Sequence, residues 1–344
     1  MVWDTLCRFQ ESAKPRTKGF DEEALPPCVL VSRVAARGVK EVAVKTVCRS
    51  VAALLACACV GVPLAVTSPA NAGTPGSSHG YWLASADGGV FSFDAPFYGS
   101  GVTPPGACLF SPQAGSIQDS TLGCAAIAST PSGNGYWLLN SYRSATAFGQ
   151  AAQALQVGCT SLNGAFGFWT GIASSPTGNG FFVTSGNGGV MGCGDAVPFG
   201  GMTTQPLNAP VVGIAATHDG KGYWLISGDG GVFSFGDASF YGSMGGTHLN
   251  SPVIGIAATP DGKGYWLAAL DGGVFSFGDA SFYGSMGGTH LNAPMVGIAA
   301  APDGKGYWLA GADGGVFSFG SAPFEGSMAA KSMNASVVGI AAYP

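Results

Sequence analysis

From Val211 onward, short apolar runs alternate with glycine-rich turns in a fixed order. VVGIAAT is a run of small and branched residues, suited to a crowded inner strand. The turn HDGKG follows, then GYWLIS, a second strand carrying the large aromatic residues. The Asp-Gly pair in GDGG predicts a hairpin of type I′, in which both central residues take positive φ. VFSFG alternates apolar and polar positions, the period-2 pattern of a strand with one buried face. ASFYGS reads as a fourth short strand, and MGGTHLNSP leads to the next unit. The pattern restarts at Val253, Met295 and Val337, a step of 42 residues each time. Four antiparallel strands in about 42 residues predict the blade of a β-propeller.

Upstream the unit is worn. At Trp169 (WTGIASSPTGNGFFVTSGNGGVMGCGDA), Asn187 replaces the hairpin Asp and Phe182 the Trp. At Cys124 (CAAIASTPSGNGYWLLNSYRSATAFG), Tyr142-Arg143-Ser144 replaces Asp-Gly-Gly. The two ends of the array are complementary. It begins at His79 with the last three strands of a unit (HGYWLASADGGVFSFDAPFYGS) and finishes at Val337 with only the first (VVGIAAYP). Joined, they complete one blade, which closes a ring and leaves no strand edge open. With five whole units, the expected fold is all-β, a β-propeller of six four-stranded blades over residues 73–344.

The segment before the array reads as an export address. Arg33, Arg37, Lys40, Lys45 and Arg49 precede an apolar run from Val51 to Val66, and TSPANA offers small residues at Ala70 and Ala72. This is the pattern of a signal peptide over 33–72, cleaved after Ala72, with 1–32 a doubtful extension ahead of it. The run is short for a membrane span, and Leu54-Leu55-Ala56-Cys57 is only a loose lipoprotein box. The expected mature protein is secreted, extracellular or wall-associated, and monomeric. It keeps Cys108, Cys124, Cys159 and Cys193, an even number suited to two disulfides in an oxidising compartment. The most local of the three connectivities pairs Cys108 with Cys124 and Cys159 with Cys193.

Charge narrows the partners. Residues 73–344 hold five Lys/Arg against 13 Asp/Glu, while 1–72 hold nine against six. A domain so poor in cations is unsuited to nucleic acid, whose binding rests on neutralising phosphates. No Cys-x-x-Cys or His/Cys cluster points to a metal, and nothing implies a cofactor. The hairpin acids Asp87, Asp229, Asp271 and Asp313, the second set Asp219, Asp261 and Asp303, and the third set Asp195, Asp237 and Asp279 read as turn formers, since Asp bonds nearby backbone amides. His79, His218, His248 and His290 are scattered. Glu325 stands alone where sister units have Tyr241 and Tyr283.

The aromatic pairs Tyr81/Trp82, Tyr136/Trp137, Tyr223/Trp224, Tyr265/Trp266 and Tyr307/Trp308 are the candidate ligand-binding residues. Strand neighbours face opposite ways, so one of each pair packs between blades and the other is free to reach a groove and stack on a sugar.

The unit GYWL-x(3)-DGGVFSFG-x-A-x-FYGS resembles a repeat of secreted actinobacterial proteins, often found beside cell-wall hydrolase domains. The hairpin Ser85-Ala86-Asp87-Gly88-Gly89 is also similar to the Asp-box of sialidase-type propellers, without its Thr-Trp ending. The first resemblance implies a role at the cell wall. No hydrolase domain accompanies the array, so it does not imply hydrolysis. The expected function is a non-catalytic binding or scaffolding module, multivalent for cell-wall glycan or a surface protein. Two alternatives stand beside it: a hydrolase or lyase in the axial pocket over the divergent blades, through Asp119, Tyr142 or Arg143, and a purely structural spacer.

Overall fold

The computed structural model describes residues 29–32, 44–47, 79–102, 123–141, 145–151 and 167–344. The chain divides into two compact units, 1–72 and 73–344. In the first, β1 (Val29–Ser32) and β2 (Val44–Val47) pair antiparallel, a hairpin the sequence did not announce. The apolar run at 51–66 and the cleavage site at Ala72 lie outside the described residues.

The second unit opens with β3 (Tyr81–Ser85) and β4 (Val90–Phe93). Two worn groups of three follow: β5 (Cys124–Ser129), β6 (Gly135–Asn140) and β7 (Ala145–Gly149), then β8 (Trp169–Ser174), β9 (Gly180–Ser185) and β10 (Val190–Gly194). The regular groups are β11 (Val211–Ala216), β12 (Gly222–Ser227), β13 (Val232–Gly236); β14 (Val253–Ala258), β15 (Gly264–Ala269), β16 (Val274–Gly278); and β17 (Met295–Ala300), β18 (Gly306–Gly311), β19 (Val316–Gly320). The last strand is β20 (Val337–Ala342). Each group of three is one antiparallel sheet with its second strand in the middle, and β20-β3-β4 makes the sixth. Six three-stranded sheets fit a β-propeller-like arrangement.

The terminal strand takes the register of its sisters. Ile340 faces Leu83 and Ala341 faces Trp82, as Ile256 faces Leu267 and Ala257 faces Trp266. Each first strand lies beside that of the next sheet, and β20 lies beside both β17 and β5. These strands meet almost backbone to backbone, which is why they carry glycine. A Cβ on Gly171 would stand 3.0 Å from the Gly213 Cα, and one on Gly255 3.3 Å from Ile298 Cγ2. The small residues of VVGIAA are a packing requirement, as the sequence implied.

The expected fourth strand does not form: ASFYGS is no strand, and the sheets have three. Its backbone groups are claimed by side chains of two sheets instead of a ladder. Trp224 Nε1 donates to Ser239 O at 2.7 Å from the segment's own sheet. From the next sheet, the Tyr265 hydroxyl donates to Gly242 O at 2.6 Å and accepts from Tyr241 N at 3.2 Å. The same pair of anchors recurs for Trp266 with Tyr307 and for Trp308 with Tyr81.

The hairpin also differs from expectation. Gly230 N donates to Ser227 O, and of the turn residues only Gly230 has positive φ, at 82°. The chain therefore makes a turn closed by one left-handed glycine, where type I′ needs two positive-φ residues.

Candidate functional site

All eight residues proposed to bind ligand (Tyr81, Trp82, Tyr223, Trp224, Tyr265, Trp266, Tyr307 and Trp308) are 0% exposed. The expectation that one of each pair reaches a groove is overturned, because the middle strand is covered on both faces by neighbouring sheets. Trp224 meets Tyr265 with ring centroids 5.5 Å apart, Trp266 meets Tyr307 at 5.5 Å, and Trp308 meets Tyr81 at 5.4 Å. Trp82 meets Tyr136 at 5.3 Å, and Phe replaces one partner in Trp137–Phe181 (5.6 Å) and Phe182–Tyr223 (5.3 Å). Every neighbouring pair of sheets thus shares at least one aromatic contact, including the pair that joins β18 to β3. These rings hold the sheets together and offer no platform to a sugar.

Burial of the phenols has a consequence at high pH. It pushes Tyr81 and Tyr136 up to about 12 from 10.0, against the opposing pull of their backbone hydrogen bonds. In the unfolded chain these groups ionise near pH 10. Their contribution to stability is therefore complete below pH 10 and is lost as pH rises toward 12. Alkaline unfolding is expected in that window, with phenolate absorbance and loss of β-sheet circular dichroism rising together. Ionisation of all tyrosines with the fold intact would contradict it.

The repeated acids serve turns. Asp229 Oδ1 accepts from the Ser227 hydroxyl and from Gly231 N at 3.2 Å. Asp87 does the same at 2.6 and 3.1 Å, and Asn187 substitutes at 2.7 and 3.1 Å. Asp271 and Asp313 each take one backbone N–H. In the second turn, the Lys221 ammonium bonds Asp219 Oδ2 at 2.9 Å and helps hold that carboxyl down to about 2, and Asp261 pairs with Lys263 at 3.1 Å. Asp303 accepts from Lys305 N at 2.9 Å. Asp237 and Asp279 accept from Thr217 and Thr259, and Asp195 from Thr177. Among the described residues no group of three His, Cys, Asp or Glu is placed to hold a metal.

Two features are placed to meet a ligand. One is a row of phenylalanines that the sequence reading passed over: Phe97, Phe240, Phe282 and Phe324 are 59–60% exposed. They belong to the FYGS-type connectors of the sheets β20-β3-β4, β11–β13, β14–β16 and β17–β19, four consecutive neighbours. The signal was a Phe two places before the connector glycine, followed by Tyr in three units and by Glu325 after Phe324. The Tyr241 hydroxyl bonds back to Gly262 O at 3.1 Å, and Phe240 beside it is left outside. The equivalent place in β8–β10 holds Pro198.

The other feature is a cavity of about 400 Å³ at the far ends of the six first strands. Its wall includes Ile127, Ile256 and Ile340 with alanines from the same strands, and its polar groups are Ser129, Ser174, Thr217 and His218. Among the described residues no carboxylate lines it. Asp119, Tyr142 and Arg143 lie outside the described residues. Glu325 is at the sheet periphery, its N–H donating to the Tyr81 hydroxyl at 3.2 Å. His290 lines a separate recess of about 320 Å³ beside Asp271.

Cys124 and Cys193 are each disulfide-bonded. Cys108 and Cys159 lie outside the described residues. No helix among the described residues is long and apolar enough to cross a membrane. No protein-family profile and no curated protein matches the chain.

Proposed function

We propose that residues 73–344 form a six-bladed propeller, closed by β20 on β3, that acts as a secreted non-catalytic binding module for cell-surface polysaccharide. The observation that carries this reading is the run of exposed phenylalanines at equivalent places on four consecutive sheets. An exposed aromatic face suits the apolar face of a sugar ring. Weak equivalent sites on one rigid body gain avidity for a repeating polymer without any new contact. The basic and apolar segments of 33–72 support export, and the disulfide-bonded Cys124 and Cys193 suit an oxidising compartment. The local pairing Cys108–Cys124 and Cys159–Cys193 belongs to the same proposal. A hydrolytic site draws no support from the cavity, whose titratable lining among the described residues is His218 alone. Glycosidic cleavage by the usual route needs two converging carboxyl groups.

Pull-down of the full chain on insoluble cell wall, peptidoglycan and arabinogalactan tests it. Each single Phe→Ser change (at 97, 240, 282 or 324) should weaken retention several-fold, and the quadruple change should abolish it. Exposed positions of this kind leave stability within about 0.5 kcal/mol, so the melting curves should coincide. Absence of capture on every polymer, or undiminished capture by the quadruple variant, would refute the glycan reading.

A further inference from the structure

The cavity at the strand ends is not uniform around its mouth. At the last position of the first strand, β5 and β8 present Ser129 and Ser174, while β11, β14, β17 and β20 present Ala216, Ala258, Ala300 and Ala342. Two residues further on, the chain has Pro131, Pro176, Pro260, Pro302 and Pro344, but His218 after β11. Polar groups therefore gather on the side of the three sheets β5–β7, β8–β10 and β11–β13. The opposite side is alanine.

Those polar groups differ in how far they are committed. The Thr217 hydroxyl accepts from Gly222 N and shares its one proton among Asp219, Asp237 and Gly222 O, and Ser174 donates to Ser175 O. Among the described residues, neither the Ser129 hydroxyl nor the exposed His218 imidazole is engaged in a hydrogen bond. The turns behind the mouth carry Asp219, Asp237, Asp261, Asp279, Asp303 and Asp195 against Lys221, Lys263 and Lys305. That excess of acid repels anions, and the described wall, without a carboxylate, gives a cation no direct partner.

We propose that this cavity is a binding site for a small uncharged amphipathic molecule of about one ring. Its apolar face lies on the Ile256, Ile340 and alanine side, and its hydroxyl or carbonyl meets Ser129 and His218. The volume falls within the roughly 300–1,000 Å³ of small-molecule sites, which are mostly apolar with a few placed polar groups.

Benzyl alcohol and benzoate are the probes, followed by isoleucine-methyl NMR on the full chain. Benzyl alcohol should shift the Ile127, Ile256 and Ile340 methyls saturably while leaving Ile226, buried between sheets, unmoved. Benzoate should bind several-fold more weakly. The double variant Ser129→Ala/His218→Pro, which installs residues that sister units already carry, should weaken the alcohol several-fold. Unsaturable shifts, equal binding of benzoate, or an unaffected double variant would each overturn the proposal. The benzoate comparison needs no variant and stands even where the double change alters folding.

Discussion

A chain ending at Ser336, without β20, is expected to lose cooperative folding altogether. β20 supplies the first strand of the sheet it shares with β3 and β4, and it also lies between β17 and β5. Its Val337, Ile340 and Ala341 are 1%, 7% and 6% exposed, so three core positions go with it. Leu83 and Trp82, now wholly buried opposite Ile340 and Ala341, would face water. The loss cannot be confined to one sheet, because Trp82 packs on Tyr136 and Tyr81 on Trp308. Thermal melting should flatten into a broad, low transition, and a synthetic peptide of the sequence VVGIAAYP added in trans should restore a sharp one. A sharp melt at the original temperature without β20 would mean that the strand is dispensable and that the sheets do not depend on mutual closure.

The largest single-residue effect is expected at Trp266→Ala, a loss of about 3–5 kcal/mol, the usual cost of emptying a large aromatic site in a core. Three interactions vanish together: the contact with Tyr307, the contact with Tyr283 at 6.4 Å, and the indole N–H bond to Ser281 O at 2.8 Å. The last leaves the connector without its anchor to its own sheet. Trp266→Phe should cost only about 1–2 kcal/mol, mainly one hydrogen bond and part of the packing. The molecule already tolerates that chemistry, since Phe182 fills the equivalent place 5.3 Å from Tyr223. Denaturant unfolding at equilibrium measures both. An Ala variant within about 1 kcal/mol of the parent, against the usual 3–5, would show that the ring is not seated in a packed joint.

Much of this architecture was legible along the chain because its signals are local and repeated. The step of 42 residues, the lone first strand at the C-terminal end that completes the N-terminal sheet, and the turn role of the acids all follow from neighbours in sequence, although the N-terminal end supplies two strands and not the three expected. What failed depended on contacts between sheets. ASFYGS has the composition of a strand, but Trp224 and Tyr265 reach it from two different sheets and satisfy its backbone first. The aromatic pairs were assigned one buried and one accessible face, a sound inference for a sheet with one face bare. Here both faces of the middle strand are covered, and Tyr223 and Trp224 are equally buried. Phe240 was passed over for the complementary reason. Its neighbour Tyr241 turns inward to Gly262, which alternation within a supposed strand did not distinguish. The hairpin glycine was foreseen, but its lone positive φ was not, since Asp-Gly serves more than one turn.

The sheet shared by the two ends also decides how the domain answers tension. In the β20–β3 ladder Ala342 stands opposite Tyr81, and Tyr343 N bonds Gly80 O at 2.8 Å. Both exits from the ladder therefore lie on the same side. A load applied through residues 79 and 344 would fall on one bond at a time, peeling the strand from that side, instead of shearing the whole ladder at once. The same strand that completes the sixth sheet is then its seam, and a chain pulled through these ends would open there first, beginning with Tyr343, whose ring stands 5.4 Å from that of Trp82.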